Sequence, residues 1–275
     1  MILTVTLNPA IDVTYHVASL VPGETHRVAR VDERLGGKGI NVASVLAQLG
    51  VPAQSTGLLR DGPPLFAPIA APPRRTVVVA DGREATGFWE PGPSVTPEEW
   101  ADFVDHYATL LSDARVVVFA GSLPTGLPDH AYASLIGLAR HAGCATILDT
   151  SGPALRLGLL ANPDIIKPNA AEFAELDGRG PASGPTTVVQ SLGAQGLRAC
   201  GLHARPPYAV AGNPTGAGDA CVAALARGLL LKTQWPDLIR DAAALSAAAV
   251  ATPVAGQVDL DLYHKLLPDI VVEES

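Results

Sequence analysis

Short β-branched runs alternate with helix-patterned segments along most of this chain. That alternation commits it to βαβ units, with a parallel sheet covered by helices on both faces. The expected fold class is therefore α/β, a three-layer α/β/α core with a mostly parallel central sheet. Strands are predicted at residues 2–7, 115–120, 145–149, 164–167 and 186–191. Thr96-Pro-Glu-Glu99 reads as a capping box with Pro97 in the first helical turn, opening a helix over 100–114. Pro128-Asp129 opens another, which runs to about residue 142 and stops at Gly143. Helical runs are also expected at 42–49 and 220–231. Two stretches break the alternation, 13–35 and 74–90, the second carrying a hairpin signal at Asp81-Gly82. Both are expected to leave the main sheet and form a small β-lid.

At 275 residues and about 150 per domain, there is room for one domain plus that small appendage, so residues 1–275 are expected to form a single unit. The net charge of −8 points away from nucleic acid and anionic lipid as partners, so an anionic ligand must be met by local cations and backbone donors. Only four of the 19 basic residues are lysines, Lys38, Lys167, Lys232 and Lys265, which makes each lysine informative. Cys144, Cys200 and Cys221 form no CxxC pair, so neither a disulfide framework nor a zinc site is expected and a reducing cytoplasm is. The first twelve residues lack a cationic n-region and break at Asn8-Pro9, unlike a signal peptide. No apolar run has the length or composition of a membrane span.

The sharpest local pattern is Asn213-Pro-Thr-Gly-Ala-Gly-Asp219 ahead of a helical run. A glycine-rich turn at a helix N-terminus presents N–H groups that no intrahelical carbonyl satisfies, which makes a cradle for anions. Asp219 would repel a phosphate there unless its task is to take a proton from an attacking hydroxyl. Seen alone, the same residues are as readily a tight turn with a favourable first-turn acid. Gly36-Gly-Lys-Gly-Ile-Asn41 is a second constellation, in which glycines permit close approach while Lys38 and Asn41 supply a cation and an amide, a set suited to a polyol phosphate. Asp12 follows the first strand, where open α/β sheets bind ligands, and is equally a solvated loop acid. Asn169 and Glu172 share a helix face and would organise water around Mg²⁺, or Asn169 is simply an N-cap.

Other Gly-loop chemistries fail on specific residues. A dinucleotide fingerprint would need glycine where Cys221 or Val42 stands, and a Walker loop would need Ser or Thr where Gly39 stands. The seven histidines show no metal spacing, and Ser122 lies in no G-x-S-x-G elbow.

In this order the motifs resemble the PfkB (ribokinase-like) family of carbohydrate kinases, in particular the branch of 1-phosphofructokinases and tagatose-6-phosphate kinases. The residues that carry the likeness are TLNPAID at 6–12, GGKGINVA at 36–43, RRT at 74–76 with EPGP at 90–93, and GSLPTG at 121–126. They continue with DTSG at 149–152, KPNAAE at 167–172, SLGAQG at 191–196 and NPTGAGDA at 213–220. The resemblance implies a ribokinase-like core with a β-lid, ATP and Mg²⁺ as cosubstrates, and phosphoryl transfer to a hydroxyl of a ketohexose phosphate. It makes Asp219 the base and the Gly216-Ala217-Gly218 turn the anion hole. Asp12, Gly37 and Asn41 would hold the sugar, with Arg27, Lys38 and Arg74 on its phosphate. Lys167, Asn169, Ser191, Gly193 and Gly196 would line the nucleotide side, with Glu172 acting on Mg²⁺ through water. It also implies a homodimer clasped through the lids.

The chain departs from the family pattern at Arg60-Asp61, in the Pro-rich segment 62–73, at Ala120 before GSLP, and between Asp177 and Thr186, where a helix is shortened. Two alternatives stay open from the sequence: a PfkB-type kinase of an unphosphorylated sugar, nucleoside or cyclitol, and a catalytically idle sugar-phosphate or nucleotide sensor.

Overall fold

The structure is a computed structural model that describes residues 1–81, 85–176 and 186–274. Seven parallel strands form the central sheet, in the order β11 (Thr187–Val188), β10 (Ile165–Ile166), β9 (Ala145–Asp149), β8 (Val116–Ala120), β1 (Ile2–Thr6), β4 (Ala53–Leu58) and β5 (Phe66–Ala67). All five residues of β1 and of β8 are buried, as expected of strands covered on both faces. Alternation splits their side chains between two cores. Ile2, Val116, Val118 and Ile147 pack under α1 (Lys38–Gln48), α6 (Ala217–Leu231), α7 (Trp235–Val250) and α8 (Leu260–Leu266). Leu3, Val5, Val117 and Phe119 pack under α2 (Pro97–Leu110), α3 (Ala131–His141) and α4 (Gly152–Leu159). The expected three-layer α/β/α class is the observed one.

Local signals explain several boundaries. Thr96 accepts from the Glu99 N–H and the Glu99 carboxylate accepts from the Thr96 N–H, so α2 starts on the reciprocal capping box its sequence announces. Helix α1 begins at Lys38, four residues before the hydrophobic run that predicted it, because Gly37 takes φ 127° and frees the chain to turn directly into the helix. The single strand expected at 186–191 is two: β11 completes the central sheet, while β12 (Gln190–Ser191) opens an antiparallel sheet with β13 (Leu197–Ala199), β14 (Leu202–Arg205) and β15 (Val271–Glu274). A buried Val189 separates the two.

The segments that break the alternation build a separate four-stranded sheet in the order β3 (Arg30–Gly36), β2 (Ala10–His16), β6 (Arg74–Ala80) and β7 (Ala85–Trp89). Its strands do not fill 13–35, since residues 17–29 form an extended connection without a strand. The Asp81-Gly82 turn and the shortened helix expected after Asp177 fall partly or wholly outside the described residues.

Candidate active site

The end of β9, the residue after β10 and the starts of α1 and α6 come together at one edge of the central sheet. Asp149 ends β9 and is 1% exposed, with two ammonium groups at 3.2 Å: Lys38 Nζ on Oδ2 and Lys167 Nζ on Oδ1. The Lys38 contact is a hydrogen bond, whereas the Lys167 contact is an ion pair whose angle leaves Oδ1 without a hydrogen bond. Burial would raise the Asp149 carboxyl, but Lys167 and Lys38 together outweigh it and hold the group below its ordinary range. Burial likewise opposes the charge on Lys167, and Asp149 restores it, so this lysine stays firmly protonated. Lys38, expected on an acceptor's phosphate, is bound to Asp149 and keeps 42% of its side chain exposed.

Asp219 lies in the first turn of α6 and is buried. The turn depends on Gly216 at φ 92°, where a Cβ would come within 2.7 Å of Ala255 Cα. Asn41 Nδ2, from α1, donates to Asp219 Oδ2 at 2.8 Å. Burial, reinforced by the charge of Asp149, pushes the Asp219 carboxyl up to about 6, against the pull of Lys38, Asn41 and Lys167. The glycine bend and the GGKGIN segment therefore meet. A Cβ on Gly218 would stand 3.5 Å from Lys167 Nζ, which places that ammonium over the start of α6. Of the N–H groups expected to form an anion hole, that of Ala217 is taken up by the Pro214 carbonyl at 3.2 Å.

Asp12, on β2, meets Arg34 Nη2 at 3.1 Å, and the same nitrogen reaches Asn41 Oδ1 at 3.5 Å. Gly36 is glycine because a Cβ there would fall 2.0 Å from Asp12 Oδ2. Burial raises the Asp12 carboxyl, against Arg34 and Arg74. Arg74 donates through Nε to the Asn8 carbonyl at 3.3 Å. Arg27 is exposed on the 17–29 connection, with no hydrogen bond or ion pair among the described residues.

On the other side of Gly218, a cavity of about 600 Å³ opens between the start of α5 (Ala170–Glu175), the β12–β13 turn and α7. Asn169, Ser191, Gly193 and Gly196 line it, and a β-bridge joins Asn169 to Ser191. Lys167 is not on this wall. Ala243, Ala247 and Val250 make the far side small and apolar. Asn169 and Glu172 form a reciprocal capping box, so the N-cap reading of Asn169 is realised. The box uses Glu172 Oε2. Among the described residues no group of three or more His, Cys, Asp or Glu stands ready to hold a metal.

Two residues of this site were not singled out from the sequence. Asp149 appeared only as part of a motif, although its place at the C-terminal end of a predicted strand is the signal that marks ligand positions in open α/β sheets. Arg34 carried no signal, because its role depends on which strand lies opposite.

The arrangement sets an acid of raised pKa at a helix N-terminus, with lysines close by and a cavity of ligand size beyond Gly218. Residues 71–260 match the model of the pfkB family carbohydrate kinases, and the chain belongs to that family. It is a PfkB-type sugar kinase. Phosphofructokinase-2 of Escherichia coli, in complex with substrates and products, is 25% identical over 98% of each chain, with a TM-score of 0.84. A possible 1-phosphofructokinase of Thermotoga maritima is 22% identical over 100% of this chain and 99% of its own, with a TM-score of 0.86. The ribokinase of Arabidopsis thaliana complexed with ribose and ATP shares the fold at 21% identity and a TM-score of 0.70, over 96% and 98%.

Proposed function

We propose that this kinase transfers the γ-phosphoryl group of ATP to a hydroxyl of a ketohexose phosphate of the fructose 1-phosphate or tagatose 6-phosphate kind. The observation that carries the reading is Asp219, buried between two cationic groups with its carboxyl poised near 6. Such a group is ionised at neutral pH yet basic enough to accept a proton. In this reading Asp219 takes the proton of the acceptor hydroxyl, the oxygen bonds to the γ-phosphorus, and the bond to ADP breaks in line. Asn41 holds the Asp219 carboxylate through its amide, and Asp12 accepts from the sugar's hydroxyls. The start of α6, with Lys167 above Gly218 and Lys38 beside it, faces the charge that develops on the phosphoryl oxygens. This assigns Lys38 to the transferred group, leaving Arg74 beside the acceptor.

The cavity lined by Asn169, Ser191, Gly193 and Gly196 suits a nucleoside: its small apolar wall takes a base, and its open end leads to Gly218. Mg²⁺ commonly keeps several waters and is held by phosphates with one or two carboxylates. Glu172, with Oε1 outside the capping box, fits that role through a water. The ion would neutralise nucleotide phosphate charge.

The same reading places the protein in the cytoplasm as a homodimer clasped through the small sheet, whose edge strand exposes Phe88 and Trp89. A monomer in sedimentation at micromolar concentration would overturn the dimer.

The kinase reading is tested with Asp219→Asn. Turnover on fructose 1-phosphate, tagatose 6-phosphate and fructose 6-phosphate is expected to fall by about 10²–10⁴ while ATP still binds by calorimetry. Intact turnover removes Asp219 as the base. Wild-type protein that binds ATP tightly and phosphorylates no acceptor would instead be a sensor.

A further inference from the structure

The small sheet carries more arginines than the sugar-kinase chemistry requires, and they are not equivalent. Arg30 is turned to Asp32 at 2.7 Å and Arg75 to Glu33 at 3.1 Å, both on exposed ground. Arg34 alone among the described arginines of β3 and β6 reaches both Asp12 and Asn41.

Register explains why. In the antiparallel pairing of β2 and β3, Arg34 stands directly opposite Asp12; in the parallel pairing of β2 and β6, Thr76 stands opposite Asp12 and Arg74 opposite Ala10. Alternation along each strand then puts Asp12, Arg34, Arg74 and Thr76 on one face. This is the face on which Asp12 lies over Gly36, one side chain from Asn41 and two from Asp219.

Charge and hydrogen-bonding capacity say what that face can take. Arg34, Arg74 and Asp12 leave one net positive charge, separate from the one left by Lys38, Lys167 and Asp149. Both contacts of Arg34 use Nη2. A guanidinium has five donors in a planar fork, so Nε and Nη1 are uncommitted among the described residues, and 34% of the side chain is open to solvent. Nη2, which both two-donor edges of a guanidinium share, is held by Asp12 and Asn41, so Nη1 and the Nε–H remain as separate donors, each able to meet one oxygen of a phosphate monoester.

We propose that Arg34 is the residue that selects an acceptor already carrying a phosphate. The proposal rests on the reading of this cleft as the acceptor site. It makes Arg34 a specificity-determining residue, with its Nη1 amino group donating to an ester oxygen and Arg74 as its neighbour.

The test uses the full chain with Arg34→Gln and Arg34→Lys. Transfer to fructose 1-phosphate, tagatose 6-phosphate and fructose 6-phosphate is compared with transfer to fructose and tagatose. In parallel, binding of the three sugar phosphates is measured by calorimetry without nucleotide. For Arg34→Gln, the preference for phosphorylated over plain acceptors in kcat/KM should fall by about 10- to 100-fold, through KM rather than kcat. Sugar-phosphate binding should weaken by a similar factor, and Arg34→Lys should recover part of both. The proposal is overturned if the preference is unchanged, if both acceptor classes lose equally, or if the acid limb of the pH profile moves, the last two marking Arg34 as a prop for Asn41. Should the wild type bind sugar phosphates without turnover, and Arg34→Gln abolish that binding, the kinase reading falls while Arg34 keeps its role. Should the wild type bind no sugar phosphate, Arg34 loses it.

Discussion

Asp149 and Lys167 keep 1% and 5% of their side chains exposed, whereas Asp12 and Arg34 keep 25% and 34%. The two groups flank the same Asp219, and each leaves a single positive charge, yet they are built differently. Asp149 and Lys167 of the inner one are set in the core beneath α6, where water cannot replace a missing partner. The outer one lies on a thin mixed sheet where solvent screens the pair. Burial costs the inner group solvation that its own ion pairs must offset. The outer group gives up that strength and keeps donors free for a ligand. The comparison teaches that buried charge pairing and free donor capacity are divided between the two sides of Asp219.

The most forceful way to break this comparison is Asp149→Ala, which would leave two ammonium groups facing each other without their shared partner. Unfolding by urea is expected to show a loss of about 3–5 kcal/mol; a loss below 1 kcal/mol would mean that water reaches the inner group and the contrast is false. Next in size is the pH response of Asp219. Its carboxyl is raised in the folded state, first by burial and then by Asp149, so ionisation costs stability that the unfolded chain does not lose. The cost develops as pH rises from the ordinary carboxylate value of 3.8 to about 6 and is constant above. Asp219→Asn should therefore stabilise the protein at pH 8 by up to about 3 kcal/mol, measured against wild type in the same denaturant series, and should not do so at pH 4. In the wild type kcat/KM should fall about tenfold per pH unit below 6 and level off above it. A limb centred near pH 4 would place Asp219 in contact with solvent. The smallest effect sharpens the outer side: Asp12→Ala should change unfolding free energy by only about 0–1 kcal/mol while raising KM for the acceptor. A change as large as that of Asp149→Ala would show the small sheet to be part of the core.

Much of this was legible in order along the chain. The burial of β8 follows from its unbroken apolar run, that of β1 from a run whose only polar residues are threonines, and the start of α2 from Thr96, Pro97 and Glu99, because period and capping are local properties. The bend before Asp219 was legible for the same reason, and four of the five residues expected on the nucleotide side do line the cavity. What went wrong went wrong over distance. Residues 186–191 looked like one strand because nothing local says that β11 and β12 pair with different sheets. Arg27 and Arg34 are both arginines in the same irregular segment, and only strand register separates the exposed one from the one opposite Asp12.

The amino-acid sequence by itself determined the α/β class, the glycine bend with its acid and the family to which the chain belongs, since all three rest on residue order and local backbone preference. Only the tertiary structure decided that Lys38 and Lys167 share Asp149 and that Asn41 meets Asp219 across 178 residues of chain. It alone also set Arg34 against Asp12 and Asn41. Those are facts about which strand ends fall side by side, and electrostatic energy depends on separation in space and on solvent, neither of which is written in the spacing of residues.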